Sequence, residues 1–316
     1  MSRIVETEGE RRNGCTRRVL LGAAALGALA GGATLPVLGP RPALARSPLD
    51  PAAAPFPIAM LSPEPPSEAA LAATRKAFER ALSRPVSLRH YREGARLVDA
   101  AASGRGDVSV HTALTYAATA LLCGCAVPVL RPTSRDGTAG MRAVVIARRD
   151  GTVRQLNDLA GRELLGATER NVAGQVVRRG LPNVRKAIRF DGADRGLARY
   201  MAGEGAALVG FERIDRDGSP MGGTMDRLDP GGHGVLWRSF PVWHGPVCVA
   251  ASVDPALRRR IVGELVALRV GGRALTGLGL GGIGGFVAAD AKDYAPLVAL
   301  LRREASDDAT TGSVRR

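Results

Sequence analysis

From Phe56 to about residue 209, short apolar runs alternate with amphipathic stretches, and that rhythm constrains the fold more than any other feature of the chain. Phe56-Pro57-Ile58-Ala59-Met60-Leu61 predicts a first buried strand. A Pro-rich loop leads to Ser67, a hydroxyl residue suited to cap a helix that runs to about Leu82. A short strand at Val86-Ser87-Leu88, a helix over 94–102, a strand from Asp107 to Val110 and a helix over 113–122 follow. Cys125 to Leu130 and Ala143 to Ala147 are apolar and β-branched, as buried strands are, and the alternation continues through 156–209. Strands alternating with helices give α/β architecture, with parallel sheets covered by helices on both faces. No internal repeat is evident.

The N-terminus carries a different signal. Arg17 and Arg18 stand just before Val19, and no charge follows until after Pro40. The stretch is mostly Ala, Gly and Leu, and it ends near Ala43-Leu44-Ala45, a small-x-small cleavage pattern. Charged region, apolar region and cleavage site together predict an export signal over residues 1–45, and the arginine pair points to the twin-arginine route. A retained membrane anchor is the other reading, but Ala and Gly insert weakly, and Pro36 and Pro40 interrupt the run. A Pro/Ala-rich linker, 46–55, follows. The polar end of the chain, 304–316, reads as a disordered tail.

Charge narrows the partners. The formal net charge is +14, and about +11 remains once the six arginines and three glutamates of the leader are removed. A basic chain attracts anions at long range. Nucleic acid fits poorly, because the arginines are scattered, aromatics are only 4% and no nucleic-acid signature occurs. Cys123, Cys125 and Cys248 remain in the mature chain. The Cys123-Gly124-Cys125 pair is tightly spaced and lacks the second pair of a structural zinc site. Buried free thiols are the expectation, with a bridge from Cys248 to Cys123 or Cys125 as the alternative.

Five ordered segments carry a resemblance. Gly104-Arg105-Gly106-Asp107-Val108-Ser109, Asn157-Asp158-Leu159-Ala160-Gly161-Arg162, and Leu236-Trp237-Arg238-Ser239 with Gly245-Pro246-Val247 are the first three. Asp254-Pro255-Ala256-Leu257 and Gly285-Phe286-Val287 with Asp293-Tyr294-Ala295-Pro296-Leu297 complete the set. In this order they resemble the phosphate/phosphite/phosphonate-type substrate-binding proteins of ABC importers, over roughly residues 56–303. The resemblance implies a two-lobed type II periplasmic-binding fold, each lobe a mostly parallel sheet flanked by helices, with two hinge crossovers. Lobe 1 is then 56–143 and 247–303, and lobe 2 is 144–246, the chain crossing near 142–147 and returning near 240–249. It further implies a periplasmic monomer that passes a small ligand to a permease, with no cofactor and no catalysis.

The cleft follows from the same resemblance. His111-Thr112-Ala113 stands where the family has an aromatic followed by Gly-Pro before a helix, and Thr112 adds a hydroxyl. Asn171-Val172-Ala173-Gly174 replaces the family's Ser-Thr-Ser-Gly, so the hydroxyls that hold phosphonate oxygens are absent. Asp194 replaces a family histidine, Glu212 falls near an acidic position that contacts an amino group, and His244, beside Trp243, stands for Asn or Asp. The candidate ligand-binding residues are therefore His111, Thr112, Ala113, Asn171, Val172, Ala173, Asp194, Glu212, Trp243 and His244. Helix-start amides there suit an oxyanion, and Glu212 suits an ammonium, so the expected ligand is a small anion or zwitterion. Each residue has a plainer reading: His111 as a bonded core histidine, Asn171 as a cap, Asp194 and Glu212 as solvated acids. An alternative keeps the fold and lets His111, Asp194, Glu212 and His244 hold a divalent metal or a metal chelate. A ligand-sensing subunit of a signalling system is a further alternative. The Gly-rich run from Gly277 to Gly285 lacks the lysine of a nucleotide loop and reads as packing and a turn. No nucleophile elbow or zinc-protease helix occurs.

Overall fold

The strands predicted from the apolar runs form two separate sheets, and the connections between those sheets determine where a ligand can sit. The computed structural model describes residues 54–62, 64–166, 172–181, 188–190 and 192–313. The leader 1–45, most of the linker and Asn171 lie outside them. All described core residues belong to one compact unit, Leu49–Arg316. No described helix is long and apolar enough to cross a membrane.

The first half of lobe 1 follows the expected alternation: β1 (Phe56–Leu61), α1 (Glu68–Leu82), β2 (Val86–Tyr91), α2 (Gly94–Ala102), β3 (Val108–Val110) and α3 (Ala113–Leu122). Ser67 caps α1 through its side chain, which accepts from the Ala70 amide. Ala70, Thr74, Ala77 and Phe78 recur at helical spacing and are buried, and Phe78 and Leu82 share a core with Phe56, Ile58 and Met60 of β1. The chain then runs through β4 (Ala126–Ser134) into β5 (Gly140–Arg148), which already belongs to the second sheet. The first crossing is thus the short turn between Ser134 and Gly140, ahead of the expected 142–147. An apolar run marks a buried strand whichever sheet buries it, so the pattern could not place that boundary.

Lobe 2 contains β6 (Leu164–Gly166), α4 (Val172–Gly180), β7 (Ile188–Phe190), α5 (Ala193–Met201), β8 (Ala207–Ile214), β9 (Pro220–Gly223), β10 (His233–Arg238) and β11 (Val242–Trp243). The return comes between Trp243 and Val247, and β12 (Val247–Ala250) rejoins the first sheet. Asp254 caps α6 (Pro255–Ala267), accepting from two amides with Pro255 in the first turn. α7 (Arg273–Gly277), β13 (Ile283–Ala288) and α8 (Ala291–Ser313) complete the lobe.

The sheet orders are β13-β4-β12-β3-β1-β2 and β10-β5-β8-β6-β7. Parallel pairing is confined to β2-β1-β3 in the first and β8-β6-β7 in the second, less than the mostly parallel sheets expected. The reason is the crossing itself: β12 arrives from the other lobe and pairs antiparallel to both β3 and β4, as β5 does to β8 and β10. One core fills lobe 1, while a second runs across the hinge and joins Tyr116 of α3 and Tyr294 of α8 to Val145 and Val209 of the second sheet. α8 continues to Ser313, through residues 304–313 expected as a disordered tail; once a helix is nucleated each further residue adds a bond.

Candidate ligand pocket between the lobes

Parallel strands end together, and the segments leaving their carboxyl ends form a crevice. Here β1 ends at Leu61 and β3 at Val110, and both residues line a cavity of about 330 Å³. His111, Thr112 and Ala113 continue the wall, Val172 at the start of α4 enters from lobe 2, and Val242, Trp243, His244 and Gly245 close it along the return crossing. The volume is within the usual range for a small-molecule site, roughly 300–1,000 Å³.

The start of α3 is built to stay open. Thr112 Oγ1 accepts from the Thr115 amide at 3.2 Å, and Thr115 Oγ1 accepts from the Thr112 amide at 2.9 Å, a reciprocal capping box. Among the described residues no partner engages the amides of Ala113 and Leu114, so the positive end of the helix keeps free donors. Thr112 itself is exposed.

The two histidines differ. His111 is 5% exposed, with Nε2 at 2.8 Å from Ser109 Oγ and Nδ1 at 3.3 Å from Thr115 Oγ1. Burial pushes its pKa down to about 4, so it is neutral and braces the turn into α3. His244 is half-buried, and its Nδ1 lies 3.0 Å from the Pro132 carbonyl, which can only accept. Nδ1 therefore carries the proton, and Nε2 of the neutral ring is an acceptor. Burial lowers the His244 pKa, the Pro132 carbonyl opposes that shift, and Arg131 adds to it. Its carbonyl accepts from the Tyr294 hydroxyl at 2.7 Å, which ties the crossing to α8.

Arg131 is the residue that sequence reasoning missed. It is 4% exposed, stacks over the Trp243 ring at 3.9 Å and meets Asp293 Oδ2 at 3.4 Å. The one available signal was a cation within the apolar strand that ends at Ser134. Leu61, Pro132, Met141, Gly279 and Leu280 also line the cavity unforeseen, because they come from distant parts of the chain. Gly245 permits the close approach: a Cβ there would stand 2.0 Å from the His111 carbonyl oxygen and 2.4 Å from Thr112 Cα.

The structure thus brings His111, Thr112, Ala113, Val172, Trp243 and His244 to one cavity. Ala173 follows Val172 in α4, and Asn171 lies outside the described residues. Asp194 sits in the first turn of α5 with its carboxylate 2.8 Å from Arg227, and Glu212 of β8 lies between Arg142 at 3.7 Å and Arg238 at 3.4 Å. Neither forms part of the cavity wall. Among the described residues, no three of His, Cys, Asp and Glu stand close enough to hold a metal ion, so the four residues of the metal reading do not converge. The cysteines also differ from expectation. Cys123 and Cys125 are bridged to each other, Cys123 is exposed, and among the described residues Cys248 alone is a buried free thiol. Gly124, at φ 60°, takes the left-handed turn that folds the two thiols together.

Residues 58–183 match a family described as ABC transporter, phosphonate, periplasmic substrate-binding protein. A search of the curated proteins finds no match. Among solved structures, XAC2383 from Xanthomonas citri bound to chloride ion is 16% identical over 78% of this chain and 97% of that one, with a TM-score of 0.50. PhnD1 from Prochlorococcus marinus in complex with methylphosphonate is 13% identical over 78% and 97%, with a TM-score of 0.45. A binding protein component of an ABC phosphonate transporter from Pseudomonas aeruginosa is 15% identical over 81% and 88%, with a TM-score of 0.43. The likeness to XAC2383 supports the two-lobed fold.

Proposed function

We propose that this chain, which residues 58–183 place among the periplasmic substrate-binding proteins of phosphonate ABC transporters, captures a small organic monoanion with an apolar tail. It is a binding protein and not an enzyme, and as the receptor of an ABC transporter it acts in the periplasm. The observation that carries the ligand class is the make-up of the cavity wall. Free amides at the start of α3 and the Thr112 hydroxyl provide one anion-holding corner. Leu61, Val110, Pro132, Met141, Val172, Val242, Trp243 and Leu280 make most of the remaining wall apolar, and among the described residues no arginine or lysine lines it. A helix end supplies about half a positive charge, which suits a single negative charge better than a dianion. The apolar wall suits a hydrocarbon substituent and leaves a bare inorganic oxyanion with surface it cannot satisfy.

His244 refines the class. With Nδ1–H given to Pro132, Nε2 accepts from a ligand donor, such as the P–OH of a singly ionised phosphonate or an ammonium. A sulfonate lacks that donor and binds only when the ring takes a proton. Both walls of the cavity come from one chain, which supports a monomeric receptor. Arg17 and Arg18 ahead of the apolar leader support export by the twin-arginine route.

Calorimetric titration with methyl-, propyl- and pentylphosphonate, the matching sulfonates, phosphate and sulfate tests the reading. Affinity should rise about fourfold per added methylene, at about 0.8 kcal/mol each, until the cavity is full. Phosphate or sulfate binding as tightly as the alkyl compounds would refute it, and so would binding of divalent metals alone.

A further inference from the structure

The pocket uses little of the chain's positive charge, and much of the remainder lies on one outer face of lobe 1. Across α1, α6 and the loop that opens α7 (residues 68–82 and 255–273) there are eight cations and three carboxylates, a net charge of +5. The elements pack together: α1 lies against both α6 and α7, and the Arg260 guanidinium donates to the Ala81 carbonyl. Arg75, Lys76 and Arg80 of α1 and Arg259 of α6 are exposed, as is Arg269 in the following loop. None of these five has an ion pair among the described residues. Glu79 turns one of the few carboxylates inward, to the Val86 amide.

At the end of α6 the same face carries apolar side chains. Val266 is 59% exposed and Val270 is 46% exposed, two of the four large hydrophobics most open to solvent. They flank Arg269, and the Arg135 guanidinium lies 3.7 Å from where a Cβ on Gly271 would stand. The other end of the face receives the chain from its N-terminal side, because Arg84 donates to the carbonyl of Ala54 at 2.8 Å.

We propose that this face rests on an anionic lipid bilayer, with the arginines on headgroup phosphates and Val266 and Val270 pressed into the interfacial layer. The cations spread along two helices instead of converging on one point, which matches the smeared charge of a bilayer better than a discrete anion. Exposed apolar side chains beside arginines add the second component of reversible membrane binding. A receptor held in this way searches for its permease along the membrane. The inference is independent of which ligand the pocket holds.

Co-sedimentation of the compact unit Leu49–Arg316 with vesicles tests it, using phosphatidylcholine alone or with about one third phosphatidylglycerol. Binding to the anionic vesicles only, lost as salt is raised, is expected. Arg259→Glu with Arg269→Glu should lower the partition coefficient at least about twenty-five-fold, at about fivefold per cation. Arg75→Gln with Lys76→Gln, on the other helix, should lower it by a similar factor, and Val270→Ser by a few fold. An unchanged melting temperature in each variant shows that the fold is kept. No binding, equal binding to neutral vesicles, or indifference to both charge variants overturns the proposal. The first of these outcomes returns the face to an acidic protein partner.

Discussion

Acidification should weaken this protein through one identifiable side chain. His111 is neutral in the folded state because burial holds its pKa at about 4, against an ordinary value of 6.5. In the unfolded chain it titrates normally, so below pH 6.5 only the unfolded state gains the proton. Stability contributed by the neutral ring is complete above pH 6.5 and declines as pH falls toward 4. At pH 5 the loss is about 2 kcal/mol, since 1.5 pH units below the unfolded value cost nearly 1.36 kcal/mol each while the folded ring stays unprotonated. Other groups titrate over the same interval, so the contrast with His111→Gln isolates the contribution. Glutamine keeps a donor and an acceptor for Ser109 and Thr115 and does not titrate. Urea unfolding at pH 7.5 and pH 5 should move the wild-type midpoint about 0.7–1 M further than the variant midpoint, taking a slope of about 2–3 kcal/mol/M. Equal movement of the two midpoints would falsify the assignment of a neutral, buried His111.

Other expectations follow from the same geometry. Thr112→Ala and His244→Ala should each weaken binding of the tightest alkylphosphonate by about 1–3 kcal/mol in calorimetry, the usual cost of a lost polar contact in a desolvated site; unchanged affinity in both would place the ligand elsewhere. Sulfonate affinity should increase as pH falls toward 6, because His244 starts with a lowered pKa and the bound anion raises it, so binding takes up a proton. Titrations in buffers of different ionisation enthalpy measure that uptake, and a flat pH profile would remove His244 from the contact. Gly245→Ala should abolish binding and lower stability by about 1–3 kcal/mol, since a Cβ 2.0 Å from the His111 oxygen forces the return crossing away from α3. Trp243→Ala should cost about 3–5 kcal/mol by chemical denaturation, through the lost aromatic packing and the loss of the ring that covers the buried Arg131 guanidinium.

What the sequence determined by itself was local. The alternation of apolar runs with amphipathic stretches, the first opened by the Ser67 cap, required an α/β chain, because strand and helix periods are written in the order of residues. The family resemblance carried by the segments around Asp107 and Pro246 implied strand-end positions for His111, Thr112 and His244, and all three line the cavity. The tertiary structure decided which runs share a sheet. β4 and β5 read alike, yet they belong to different lobes, and the antiparallel pairing of β12 follows from a crossing that no periodicity records. It also decided what each polar residue does. Glu212 is matched by arginines from β5 and β10, far from it in sequence, while Arg131 gains its place beneath Trp243 only when the return crossing comes back beside β4. Propensity and patterning act between neighbours in the chain, whereas ion pairs, burial and cavity walls are made between residues that only the folded topology brings together.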